Sequence, residues 1–249
     1  MERWSGRVAV VTGASAGIGA AIAKELVKKG LKVVGLARRV ERVQELEKSL
    51  KSAPGKLYPI KCDVTKEEEV KEAFKWVKDN LGGTDILINN AGVASINTLR
   101  DGPVENWRKI FDLNVLALSI CTKEALQSMK EKGVDDGHII HINGVSGHKV
   151  IYQFAMCSAS KHSVTALTEG LRRELVNQKS KIRVTSVSPG AVTTEIGEAA
   201  GATPEMTAMF KDMPFLAAED VADAVLYVLG VPPHVQIHEL MIKPVGEVE

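Results

Sequence analysis

The sequence has only three cysteines, Cys62, Cys121 and Cys157, an odd number without metal-ligand spacing. That argues against a disulfide framework and against a structural metal site, and it fits a reducing compartment. An excess of one charge is missing too. The chain carries 32 basic and 31 acidic residues, interspersed, so no polyanion such as nucleic acid is expected as a partner. No apolar run approaches the length of a membrane span. Met1–Arg7 lacks the apolar segment of a secretory signal. Together these absences point to a cytoplasmic protein. Low-complexity stretches, Pro/Ser linkers and obvious repeats are also lacking, so residues 1–249 read as one domain of globular composition.

What is present is alternation. Short apolar runs at Arg7–Val11, Lys32–Leu36, Tyr58–Cys62, Asp85–Ile88, His138–Ile142 and Ile182–Val187 read as strands, with Val235–Met241 as a last candidate. Between them lie helical patterns at Ile18–Lys29, Val40–Leu50, Lys66–Leu81, Ser158–Asn177 and Ala218–Leu229, and one long helix region at Val104–Lys132. Short apolar strands alternating with helices argue for a parallel sheet covered on both faces. Right-handed crossovers then favour an α/β, single-domain, doubly wound Rossmann fold with about seven strands. In such folds the ligand lies beyond the C-terminal strand ends.

The first strand runs into Thr12-Gly13-Ala14-Ser15-Ala16-Gly17-Ile18-Gly19 and then a helix. Gly13 suits a tight turn. Gly17 and Gly19 let backbone approach a pyrophosphate, and the helix N-terminus offers N–H groups and positive partial charge. A strand–turn–helix context makes this glycine pattern a dinucleotide signal. An NAD site usually carries Asp or Glu at the end of the second strand. Here Ala37 stands there, followed by Arg38 and Arg39. Arginine pairs with a 2′-phosphate, so NADP(H) is favoured over NAD(H).

These residues resemble the short-chain dehydrogenase/reductase family in its Thr-Gly-x-x-x-Gly-x-Gly form. Further segments carry the likeness over the whole chain: Cys62-Asp63-Val64, Asn89-Asn90-Ala91-Gly92, Asn114 in Phe-Asp-Leu-Asn-Val, Ser158-Ala159-Ser160-Lys161 and Ser188-Pro189-Gly190. Met1–Arg7, Leu31–Gly35, Val115–Cys121, Val134–Ile139 and Val164–Glu174 are similar to the animal dehydrogenase/reductase member eleven group and the insect farnesol dehydrogenases. The resemblance implies NADP(H) and a lipophilic alcohol or carbonyl substrate, terpenoid- or steroid-like. It implies Gly13, Ser15, Gly17, Ile18 and Gly19 at the pyrophosphate turn, and Asp63 and Val64 beside the adenine. Asn90, Ala91 and Gly92 would line the ribose and pyrophosphate side. Pro189, Gly190, Val192 and Thr194 would hold the nicotinamide amide and nearby phosphates. Lys161 would hydrogen-bond the nicotinamide ribose, and Asn114 would hold a water in the proton relay. The family's usual homodimer or homotetramer would pair the Val104–Lys132 region and the Ser158–Asn177 helix across two-fold axes.

The pattern breaks at the chemistry. The family's proton donor is a Tyr four residues before the Lys, and its orienting Ser stands three before a glycine. Those positions are Cys157 and Gly144 here. General acid–base help is worth about 10²–10⁴-fold, so ordinary hydride transfer is expected to be severely weakened. Three residues are candidate substitutes. Lys161 and a helix N-terminus would lower the Cys157 pKa, although a thiol is shorter than a phenol, and it also packs well as a small hydrophobe. Ser146 would share a face with Gly144 if the strand continues. Tyr152 would have to swing in from a loop, where it equally suits a pocket wall or an oligomer contact. His148 reads as a structural or substrate-lining residue. Residues 195–215, with Met206, Met209, Phe210, Met213 and Phe215, suit either a substrate lid for an apolar ligand or packing against the body or a neighbouring subunit. The alternatives to a redox enzyme are a non-catalytic NADP(H)- and ligand-binding protein, and a non-redox isomerase or cyclase.

Overall fold

The computed structural model describes residues 1–96, 98–195 and 213–247. Its strands are β1 (Val8–Thr12), β2 (Lys32–Ala37), β3 (Lys56–Lys61), β4 (Ile86–Asn89), β5 (His138–Ile142), β6 (Arg183–Pro189) and β7 (Glu239–Ile242). They form one seven-stranded sheet in the order β3-β2-β1-β4-β5-β6-β7. Every neighbouring pair is parallel. The order reverses between β1 and β4, which opens a crevice at the C-terminal strand ends.

The helices are α1 (Gly17–Lys28), α2 (Val40–Ser49), α3 (Glu67–Leu81), α4 (Val104–Phe111), α5 (Leu118–Lys132), α6 (Ala155–Asn177) and α7 (Ala218–Gly230). Successive β1 side chains point to opposite faces. Ala9 and Val11 pack with Ile22 and Leu26 of α1 and Val225 and Val228 of α7. Val8 and Val10 pack with Phe74 and Val77 of α3, Ala125 and Met129 of α5, and Leu171 of α6. The centre of the sheet is thus covered on both faces, which is why β1 and β4 are buried at every position, while the edge strand β7 alternates exposed and half-buried residues. Helix α3 shows how sequence sets an element. Val70, Ala73, Phe74 and Val77 are buried at helical spacing, and Gly82, at φ 79°, stops the helix in the left-handed region.

Several expected boundaries shift. The last strand is Glu239–Ile242, so Val235 and His238 precede it. Helix α6 starts at Ala155, three residues before Ser158. The long helix region of residues 104–132 is broken by a π-helical turn, Asp112–Ala117, between α4 and α5. An inserted residue shifts the helical phase by about 100°, but α4, with Ile110 as its buried residue, carries too short an apolar stripe to reveal the shift. The isolated pairing of Val192 with Leu216 adds a short parallel contact beyond β6. Among the described residues no helix is long and apolar enough to cross a membrane.

At the crevice, Thr12 joins β1 to β4. Its Oγ1 accepts the N–H groups of Asn90 and Ala91, each at 3.0 Å, and the Asn90 amide donates to Thr12 O at 2.9 Å. Thr12→Val keeps the shape and leaves both N–H groups without that acceptor. It should cost about 1–3 kcal/mol in urea denaturation, while Thr12→Ser should stay close to wild type. Equal stability of Thr12→Val and wild type would contradict this role for the hydroxyl.

Candidate functional site

Each parallel strand delivers its following loop to the same edge. That edge therefore collects the glycine turn after β1, Arg38 and Arg39 after β2, Asp63 and Val64 after β3, and residues 90–92 after β4. Residues 143–147 follow β5, and residues 190–195 follow β6.

The glycine turn is built for close approach. Gly13 has φ +68°, and a Cβ there would sit 3.0 Å from Ala91 Cα and from Asn90 Nδ2. A Cβ on Gly19 would lie 2.4 Å from both Asn90 Nδ2 and Gly13 O, so only glycine lets α1 start this near the sheet. Ala16, the N-cap residue of α1, supplies no side-chain cap. Gly17, at φ +53°, lies under Thr194, whose Cγ2 would be 3.0 Å from an added Cβ. Ser15 and Ile18 are half-buried in the same turn. The close-packed glycines at a helix N-terminus fit a dinucleotide pyrophosphate.

At the adenosine end, Arg38 and Arg39 are exposed. Arg39 pairs with Glu195 at 2.9 Å, and Arg42 shares the same carboxylate at 2.5 Å. Burial pulls the Asp63 pKa upward. The Thr65 hydroxyl and N–H bonds, with Arg38, outweigh it and hold the carboxyl below its ordinary value. Val64 is buried at the end of β3. Glu195 carried no signal in the sequence, because its partners are more than 150 residues away.

At the other end, Lys161 and Cys157 lie one helical turn apart on α6. Lys161 Nζ donates to Ile142 O at 2.9 Å. Burial pushes its pKa down to about 8, against a smaller upward pull from Cys157. Cys157 is buried, and burial raises its pKa more than Lys161 lowers it. Of the two readings of this residue, the buried hydrophobe therefore prevails over the activated thiol: at neutral pH desolvation keeps it protonated. Asn114 sits in the π turn, 2% exposed, with its side chain fully engaged. Its Oδ1 accepts from Val93 N–H, and its Nδ2 donates to Val93 O and to Ser160 Oγ. Ser160 in turn donates to Cys157 O at 2.7 Å. Asn114 thus ties the β4 loop to α6.

The strand does not continue through residue 144. Val145–Gly147 is a 3-10 turn. Ser146 nevertheless comes near the vacant side-chain position, with Oγ 3.5 Å from a Cβ built on Gly144. Tyr152 is 84% exposed, so the structure turns it to solvent rather than into the site. Val192 and Thr194 are half-buried beyond Pro189 and Gly190. His148 Nε2 lies 3.1 Å from Ser188 Oγ and 3.3 Å from Glu239 Oε2. Residues 196–212 of the expected lid, Met206, Met209 and Phe210 among them, lie outside the described residues. Phe215 is exposed. Among the described residues no group of His, Cys, Asp and Glu could hold a metal ion.

The short chain dehydrogenase family model matches residues 7–205. The chain is 53% identical to the farnesol dehydrogenase of Aedes aegypti over 99% of each chain. It is 50% identical to the Homo sapiens dehydrogenase/reductase SDR family member 11, over 100% of this chain and 98% of that one. Among solved structures, the closed form of serine dehydrogenase complexed with NADP+ superposes with a TM-score of 0.88 at 31% identity. The superposition covers 97% of this chain and 96% of that one.

The depressed Lys161 pKa has a measurable consequence. Between about pH 8 and the ordinary 10.5, the unfolded lysine still holds a proton that the folded one has released. The unfolded state binds more protons there, so stability rises with pH across that window. Urea midpoints of the wild type should climb relative to Lys161→Met between those pH values. A constant difference across the window would contradict burial as the cause.

Proposed function

The chain belongs to the short chain dehydrogenase family, and from that premise we propose that it binds NADP(H) together with a lipophilic alcohol or carbonyl, in a site where hydride transfer is slow. The observation that carries the cofactor preference is the end of β2. Ala37 stands where a carboxylate would meet a ribose 2′-hydroxyl, and Arg38 and Arg39 follow it on the exposed edge. A guanidinium fork matches a 2′-phosphate, and a carboxylate would repel it.

When bound, the dinucleotide supplies hydride to a carbonyl or takes it from an alcohol. The chain's own residues orient and hold. The turn at Gly13, Gly17 and Gly19 takes the pyrophosphate, with Ser15 and Ile18. Asp63 and Val64 border the adenine. Asn90, Ala91 and Gly92 line the ribose side, and Pro189, Gly190, Val192 and Thr194 hold the nicotinamide end. Lys161 is the cation beside the nicotinamide ribose, and Asn114 fixes the loop opposite it.

The proton at the substrate oxygen is the weak point. Gly144 offers no hydroxyl, and Cys157 offers a short, buried, protonated thiol. Ser146 is the nearest replacement for the missing hydroxyl. Loss of a phenolic acid–base group corresponds to about 10²–10⁴-fold in rate.

The lipophilic ligand is supported by exposed apolar side chains on loops at the same edge: Leu99, Val150 and Phe215. The mosquito relative is itself named for farnesol. Exposed Leu116 in the π turn and Leu167 on α6 suit a homodimer or homotetramer built on those elements. A cytoplasmic location belongs to the same reading.

Isothermal titration calorimetry tests the cofactor. NADPH should bind at least about tenfold tighter than NADH, the worth of one charge-assisted hydrogen bond. Arg38→Ala with Arg39→Ala should abolish that preference by weakening NADPH alone. Equal affinities in the wild type, or equal losses for both dinucleotides, would overturn the NADP(H) assignment.

A further inference from the structure

We propose that Glu247 is a positioning residue for the nicotinamide end of the site, acting through the Ala191 N–H. The inference rests on the dinucleotide reading above and adds a residue to it.

Beyond β6 the chain runs through residues 190–194, which carry Val192 and Thr194 into the crevice. One edge of this segment is held by the short pairing with Leu216: Leu216 N–H donates to Ala191 O at 2.8 Å, and Thr193 N–H donates to Leu216 O at 2.9 Å. The other edge is held by the residues that follow β7. Gly190 N–H donates to Ile242 O at 2.8 Å. A tight turn then brings the chain back, with Glu247 N–H donating to Pro244 O at 3.2 Å and Gly246 at φ +89°. That return delivers the Glu247 carboxylate to the strand exit. Its Oε2 accepts the Ala191 N–H at 3.2 Å, and its Oε1 lies 2.9 Å from Lys243 Nζ.

Three features separate this carboxylate from an ordinary surface charge. Its side chain is 5% exposed, a burial that costs free energy unless hydrogen bonds and a cation compensate it. It fills the space over Gly190: a Cβ there would lie 2.2 Å from Oε2. Glycine at 190 is therefore needed by the carboxylate. Lastly, an ionised acceptor makes a stronger bond to a backbone N–H than a neutral one. The bond fixes residue 191 immediately before Val192 and Thr194.

Two measurements test the assignment. The first needs no cofactor. Hydrogen–deuterium exchange followed by mass spectrometry should show faster exchange of peptides covering residues 190–194 in Glu247→Ala, with α1 and β1 peptides unchanged. The second is calorimetry with NADPH and with 2′-phospho-ADP-ribose, which lacks nicotinamide. Glu247→Ala should weaken NADPH about tenfold, the worth of one hydrogen bond to a charged group, and leave the half-ligand within about twofold. Glu247→Gln keeps an acceptor oxygen and should fall between. Unchanged exchange at 190–194 would overturn the positioning role. Equal losses for the two ligands would also overturn it, because they would mark general loosening. A wild type that binds neither ligand refutes the dinucleotide reading and, with it, the cofactor half of this inference. The exchange result would then still decide whether Glu247 holds the segment.

Discussion

The hydroxyl of Thr12 sits where the strand order reverses, and the C-terminal edge of the sheet is registered to it. By accepting the N–H groups of Asn90 and Ala91, it pins the β4 loop to the end of β1. The Asn90 amide returns the bond to Thr12 O and reaches Gly13 O at 3.3 Å. The glycine turn can then approach so closely that Gly19 tolerates no Cβ beside Asn90. Ala16, at the start of α1, adds no side-chain cap to the N–H groups there. Three glycines, one threonine and one asparagine shape this turn, a geometry that suits the anion of the proposed dinucleotide.

The opposite half of the crevice is organised as carefully but is chemically reduced. Asn114, Ser160 and the Cys157 carbonyl form one hydrogen-bonded line from the β4 loop to α6. Lys161 is held on Ile142 O, and burial brings its pKa to about 8. On the proposed reading, these groups surround a position that offers only a shielded thiol. Binding geometry and proton transfer are separable requirements, and the proposal assigns this chain the first without the usual groups for the second.

Much of this was legible in the sequence because it is local. The glycine spacing, the missing acid after β2 and the changed residues at 144 and 157 all lie within single strand–loop–helix units, where spacing maps directly onto position. Apolar strands alternating with helices gave the doubly wound sheet for the same reason. What was not legible depends on distant pairing. Glu195 meets Arg39 and Arg42, and Glu247 meets Ala191, only after the sheet has brought loops from separate strands together. The π turn around Asn114 leaves no mark on hydropathy. Of the two readings of Cys157, activated thiol or packed hydrophobe, the structure favours the second, because burial, which the sequence does not display, outweighs the nearby lysine. Tyr152 read as a possible substitute donor, yet its loop turns it to solvent.

The most direct test of the account is NADPH oxidation against lipophilic aldehydes and ketones by the wild type and by the Gly144→Ser/Cys157→Tyr double variant, assayed together. The account predicts that the double variant turns over at least about 10²-fold faster than the wild type, the lower bound for a restored acid–base group. Wild-type turnover equal to that of the double variant would contradict it, and would mean that another group in this site already delivers the proton.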